Sequence, residues 1–220
     1  MIITIDGPAG AGKSTAARGL AKRLGFEFLD TGAMYRAVGW ACLQRGIDLH
    51  DEARVAEVAA VVKLELHDSH VICDGHDVSA AIRTADSSKA ASVVAANPGV
   101  RSAMVDQQRA TATGQNFVTE GRDQGSVVFP NAGCKFFLTA DAHERATRRQ
   151  VELEQRGYFT PLDRVLAEIH DRDHRDQTRE ASPLVKAADA IEIDTSRKTQ
   201  SEVLDELELV SRQRLGLPLT

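Results

Sequence analysis

The chain has 220 residues, 42% of them hydrophobic, enough for one sizeable core with room for an insertion. A net charge of −5, with acidic and basic residues mixed along the chain, excludes the basic excess that a nucleic-acid-binding surface ordinarily carries. Cys42, Cys73 and Cys134 are too widely spaced for a disulfide framework or a CxxC site, and no apolar run approaches a membrane span.

Ile2-Ile3-Thr4-Ile5-Asp6 reads as a strand because it is apolar and β-branched. Directly behind it, Gly7-Pro8-Ala9-Gly10-Ala11-Gly12-Lys13-Ser14 completes G-x-x-x-x-G-K-[ST], and residues 13–24 are good helix formers. Strand, loop and helix in that order are the setting in which this motif cradles phosphate. Glycines let the backbone wrap the anion, and the amides and dipole of the new helix face it. Lys13 is expected against the β- and γ-phosphates and the Ser14 hydroxyl on Mg²⁺, so a nucleoside triphosphate is the expected ligand. A Gly-rich turn with a chance Lys-Ser would match the same pattern in roughly 1% of chains this long.

Further along, strands are expected at 27–30, 116–120, 135–139 and 190–194. Helices are expected at 34–44, 52–62, 98–113, 142–156, 162–174 and 200–215. This alternation predicts an α/β fold, a five-stranded parallel sheet flanked by helices. Asp141 and Glu144 have capping-box spacing at one helix start. Strand two ends in Asp30-Thr31-Gly32 and strand three in Glu120-Gly121-Arg122-Asp123, at the sheet edge where open α/β folds bind ligands.

One stretch breaks the alternation. Residues 64–67, 71–73 and 76–78 read as short antiparallel strands, the last two joined by Asp74-Gly75, a strong hairpin signal. His67, His70, Cys73 and His76 fall there at even spacing, which suits a solvated hairpin better than a zinc site built from two pairs. His170 and His174 share a helix face at i, i+4, but residue 171 is Asp, so the metalloprotease pattern is not met. The densest charge run, residues 171–179, sets Arg172, Arg175 and Arg179 at i, i+3, i+7 with Asp176 four residues after Arg172. Such a stripe usually makes a salt-bridged exposed face, yet phosphoryl transfer needs several cations at one point. With Arg148-Arg149 ahead of Gly157-Tyr158-Phe159-Thr160-Pro161, it is expected to form a mobile lid.

The chain resembles the bacterial-type cytidylate kinase family almost end to end. Residues 3–8, 29–36, 77–84, 121–130 and 172–176 carry the likeness, with D-T-G-A-M-Y-R and G-R-D-Q-G-S-V-V-F-P as its most specific strings. The resemblance implies one kinase domain over 1–220, with a monophosphate-binding β insertion at about 63–84 and the lid at about 148–180. It implies transfer of the γ-phosphoryl group of MgATP to CMP or dCMP. The phosphate loop Gly7, Pro8, Ala9, Gly10, Ala11, Gly12, Lys13, Ser14 and Thr15, with Arg148 and Arg149, would hold ATP. Ser92, Arg101 and Asp123 would read the cytosine edge, and Arg172 and Asp176 the sugar hydroxyls. Arg36, Arg122 and Arg179 would clamp the monophosphate beside Thr31, and with Lys13 they form the expected catalytic set.

Two positions depart from the family's usual pattern. Relatives often carry Gly then Thr where this chain has Ser14 and Thr15, which leaves a hydroxyl for Mg²⁺. Glu120 stands where Asp is also usual, and the longer carboxylate can still orient metal-bound water. A shikimate-type kinase is disfavoured by the β insertion and the G-R-D segment, and a GTPase switch by the lack of an N-K-x-D guanine reader. A regulatory module without catalysis would have no use for so many arginines. With no leader pattern and no long exposed apolar stripe, a cytoplasmic monomer is expected, with neither nucleic acid nor membrane as partner.

Overall fold

A computed structural model of the chain describes residues 1–67, 70–155 and 157–218. In chain order the elements are β1 (Ile2–Asp6), α1 (Lys13–Leu24), β2 (Glu27–Asp30), α2 (Thr31–Gln44), α3 (Glu52–Val61), β3 (Leu64–His67), β4 (His70–Cys73) and β5 (His76–Asp77). They continue with α4 (Ala85–Val94), α5 (Pro98–Thr111), β6 (Phe117–Gly121), β7 (Cys134–Thr139), α6 (Ala142–Gln155), α7 (Leu162–Thr178), β8 (Ile191–Asp194) and α8 (Gln200–Leu215).

The five-stranded sheet runs β2-β6-β1-β7-β8, with β1 parallel to both neighbours and β8 parallel to β7. β1 is central, so both its faces are covered. Ile3 and Ile5 enter a core with Val118, Phe136, Leu138 and Ile193, closed by Leu20 of α1 and Leu207 of α8. Burying each such side chain stabilises the fold by about 1.5–3 kcal/mol. Thr4 and Asp6 are buried as well, on the alternate positions of the same strand. A second, three-stranded sheet, β3-β4-β5, is antiparallel, and Asp74 and Gly75 turn its second hairpin with positive φ at both residues, as Asp-Gly favours.

The chain divides into two compact units. One comprises Met1–Phe28, Gln115–Thr178 and Ser182–Thr220, and the other Leu29–Gly114 and Arg179–Ala181. The second unit holds far more than the hairpin insertion at 63–84. In it α2 packs on α4 and α3 on α5, burying Met34, Val38, Val55, Val58, Val94, Val100 and Met104.

Several boundaries differ from expectation for local reasons. α2 begins at Thr31 rather than 34, because the Asp30 carboxylate caps it through the Ala33 amide at 2.8 Å. Thr31 is thus in a helical first turn. α4 and the 3-10 turn before it, Ala81–Arg83, were not expected from the Ser-rich run, yet Thr84 Oγ1 caps the helix at Ser87. A single π-helical turn, Gln124–Val128, follows β6. α7 runs on to Thr178, and Arg179 lies beyond its end, so the expected stripe of three arginines is broken at its last member. Asp141 Oδ1 accepts from the amides of His143 and Glu144, while the reciprocal capping box is found at Thr199 and Glu202 of α8. Among the described residues no helix is long and apolar enough to cross a membrane.

Candidate active site

The loop after β1 is held close to the sheet. Gly7 has φ 144°, and a Cβ there would sit 2.0 Å from the Leu138 carbonyl oxygen, so no other residue fits. No side chain caps α1 and its first turn carries no acidic residue. Its leading amides, together with the positive end of the dipole, therefore suit an anion.

Charged groups of the first unit converge on this loop. Lys13 is buried and its Nζ donates to the Pro8 carbonyl at 2.7 Å. Its pKa is pushed down to about 7, first by burial and then by Arg122, with Arg172 adding to the push and Glu120 and Asp176 pulling the other way. Ser14 Oγ donates to Glu120 Oε1 at 2.8 Å. That hydroxyl and carboxylate form a hard oxygen pair of the kind Mg²⁺ accepts, so the residues present fit the expected ion. Arg122 Nε donates to Asp176 Oδ2 at 2.8 Å, and Arg172 Nε lies 4.0 Å from the same oxygen. Burial opposes the Arg122 charge, but Asp176 and Glu120 outweigh it and raise its pKa, so it stays a cation. Asp123 is buried next to it.

Two groups at this site escaped sequence reasoning. Arg145 of α6 is buried and its Nη1 donates to the Ala9 carbonyl at 2.9 Å and to Asp173 Oδ2 at 2.5 Å. Asp173 Oδ1 accepts from the Ala9 amide at 3.3 Å, so the pair holds one loop residue by both backbone groups. Asp173 was within reach as part of the R-D-H-R-D string. Arg145 had no sequence signal, since its partner is 28 residues away. Of the two expected lid arginines, Arg148 donates to Thr195 Oγ1 at 3.0 Å and to the Thr195 carbonyl at 2.6 Å, and that hydroxyl reaches the Ala11 carbonyl at 3.3 Å. Arg149 instead pairs with Glu152 at 2.9 Å.

The second unit carries its own group of candidates. Thr31 is buried, and Arg36 Nη2 lies 3.3 Å from Asp30 Oδ2. Arg36 Nε and Ser92 Oγ are buried with no hydrogen-bond partner. Arg101 is buried, donates to the Ala95 carbonyl at 3.3 Å and stacks its guanidinium 5.6 Å from the Tyr35 ring centroid. Arg179 belongs to this unit too. Thr31, Arg36, Ser92, Arg101 and Arg179 thus belong to the second unit, and Lys13, Ser14, Arg122, Asp123, Arg172 and Asp176 to the first. In the hairpin, His70 pairs with Asp77 at 3.2 Å while Cys73 is buried. The His67 side chain lies outside the described residues, and among those described no three His, Cys, Asp or Glu side chains are placed to hold a metal.

The family model for cytidylate kinase matches residues 3–212, which takes in the loop, the G-R-D segment and α7. The chain belongs to the cytidylate kinase family. A cytidylate kinase from Pelotomaculum thermopropionicum is 49% identical over 207 residues, covering 92% of this chain and 92% of that protein. One from Rhodopirellula baltica is 47% identical over 207 residues, 94% of this chain and 90% of that one. A bifunctional pantoate ligase/cytidylate kinase from Synechococcus sp. is 47% identical over 97% of this chain, which spans 41% of that longer protein. Among solved structures, a gluconokinase from Sinorhizobium meliloti matches with a TM-score of 0.50 at 15% identity, covering 97% of this chain and 93% of that one. At that identity the likeness concerns the fold alone.

Proposed function

We propose that this member of the cytidylate kinase family transfers the γ-phosphoryl group of MgATP to CMP or dCMP, giving ADP and CDP or dCDP. The observation that carries the proposal is the convergence of Lys13, Arg122, Arg172, Glu120 and Asp176 at the phosphate loop. A protein that only binds nucleotide has little use for so many charges at one point, whereas a transferring phosphoryl group needs them.

The loop amides and Lys13 hold the triphosphate, with Arg148 on the Thr195 side and Arg149 at the lid surface. Lys13 gives up the Pro8 carbonyl for phosphate oxygens. Ser14 and Glu120 would hold Mg²⁺, which when bound neutralises charge on the β- and γ-phosphates. Arg36, Arg122 and Arg179 clamp the acceptor phosphate so that its oxygen lies in line with the γ-phosphorus. Positioning and charge stabilisation then do the chemistry, and no covalent intermediate is required. Asp123 accepts from the exocyclic amine of cytosine, and Ser92 and Arg101 donate to its ring acceptors. Ser92 suits the task because its buried hydroxyl has no protein partner to give up. Arg172 and Asp176 take the sugar hydroxyls, with Thr31 beside the phosphate. ATP and CMP meet in the cytoplasm, where a monomer suffices for this work.

A coupled assay of ADP release across nucleoside monophosphates with MgATP tests the proposal. CMP and dCMP should react fastest. AMP or UMP outpacing CMP would overturn the base assignment.

A further inference from the structure

Asp6 is absorbed by none of these roles, although it is the last residue of β1, directly before the phosphate loop, and its side chain is buried. Its two carboxylate oxygens each accept one backbone amide: Oδ1 from Gln124 at 2.8 Å and Oδ2 from Gly125 at 2.7 Å. Those amides are the first of the Gln124–Val128 turn, the donors that any helical turn leaves unsatisfied at its start. A local Asp at the preceding position ordinarily caps them, and Asp123 stands there, but it makes no cap bond. The cap comes from Asp6, 118 residues earlier.

Other contacts hold the same turn. Thr119 Oγ1 donates to Gln124 Oε1 at 2.9 Å, and the amides of Val127 and Val128 reach the Asp123 carbonyl at 2.9 and 3.1 Å. Gly125 lies so close to β1 that a Cβ would sit 2.8 Å from Thr4 Oγ1 and 3.4 Å from Asp6 Oδ2. Arg122 and Asp123 are thus pinned from behind, two residues and one residue before the first clamped amide.

We propose that Asp6 is a positioning residue for the acceptor side of the reaction: it caps the Gln124–Val128 turn and so fixes Arg122 and Asp123 relative to the phosphate loop that follows it. The inference rests on the assignment of Arg122 and Asp123 to CMP. Charge-assisted bonds to two amides are stronger and more directional than neutral ones, which suits a part whose job is placement. Burial raises the Asp6 pKa to about 6 against the pull of those amides, so an ionised Asp6 is kept here at a cost to stability.

The test is steady-state kinetics of Asp6→Asn, Gly125→Ala, Arg122→Ala and the double variant Asp6→Asn/Arg122→Ala, alongside amide hydrogen exchange. Asn offers one acceptor oxygen for two amides, and an alanine at 125 pushes the turn off an intact Asp6. Asp6→Asn and Gly125→Ala should each raise KM for CMP and lower kcat by about tenfold, with KM for MgATP within about twofold. Exchange at Gln124 and Gly125 should quicken in Asp6→Asn. Adding Asp6→Asn to Arg122→Ala should cost less than about twofold more, since a residue acting through another has nothing left to place. Equal losses on the ATP and CMP sides, or full additivity with Arg122→Ala, would overturn the positioning role. Unchanged kinetics in Arg122→Ala would sink the assignment of Arg122 instead, and a crippled Arg122→Ala beside a normal Asp6→Asn would sink only this inference. Should Asp6→Asn fail to fold, Gly125→Ala decides.

Discussion

The candidate side chains of the two compact units are held differently, those around the phosphate loop by partners already in place and two of those in the second unit with a polar atom that has none. In the first, cations and carboxylates are already matched: Arg122 with Asp176, Arg145 with Asp173, Ser14 with Glu120, and Lys13 with the Pro8 carbonyl. In the second, Arg36 Nε and Ser92 Oγ are buried without a hydrogen-bond partner. A ligand at those first-unit groups exchanges existing bonds, whereas one at Arg36 Nε or Ser92 Oγ completes missing ones. Changes in the first unit should be felt in both stability and catalysis, and changes in the second chiefly in binding.

Lys13→Ala should have the largest effect, about 10³-fold in kcat/KM, because it removes a buried cation from the loop itself. If a substitution at Arg36 or Ser92 cost more than this, the contrast would be reversed. Asp176→Ala should destabilise the folded enzyme by about 2 kcal/mol in urea melts, since Arg122 is left as a half-buried charge without its carboxylate. A melt like that of the parent would break the claim that the first unit is already matched.

The buried carboxyl of Asp6 gives a pH signature. Its folded pKa of about 6 lies above the ordinary 3.8, so the folded state binds the proton more tightly than the unfolded one between those values. Its contribution to stability is accordingly lost as pH rises from about 4 to 6. Asp6→Asn removes that loss and should gain on the parent by on the order of 2–3 kcal/mol between pH 4 and pH 7. A pH-independent difference in urea midpoints would contradict it. The smallest effect belongs to the second unit. Ser92→Ala deletes a buried hydroxyl with no partner, so stability should hold or rise by up to about 1 kcal/mol while KM for CMP rises about tenfold. A loss of stability would show that Ser92 is already matched like the groups of the first unit.

Much of this was legible from local sequence. β1, the loop and α1 follow from a β-branched run, spaced glycines and Lys-Ser, and their bounds agree with expectation. Asp74-Gly75 announced its hairpin. α4 has no clear sequence signal because Thr84, Ser87 and Ser88 lower helix propensity, and packing against α2 decides the matter instead. Spacing alone carries the helical stripe on to Arg179, because nothing in Thr178-Arg179-Glu180 signals a stop. The Arg145–Asp173 pair and the cap from Asp6 join residues 28 and 118 positions apart, a distance over which no periodicity or motif speaks.

The most direct test of the central claim, that arginines at the phosphate loop serve phosphoryl transfer to CMP, is kcat for Arg122→Ala at saturating MgATP and CMP. The account predicts a loss of about 10²-fold or more with the fold retained. A turnover number equal to that of the parent enzyme would contradict it.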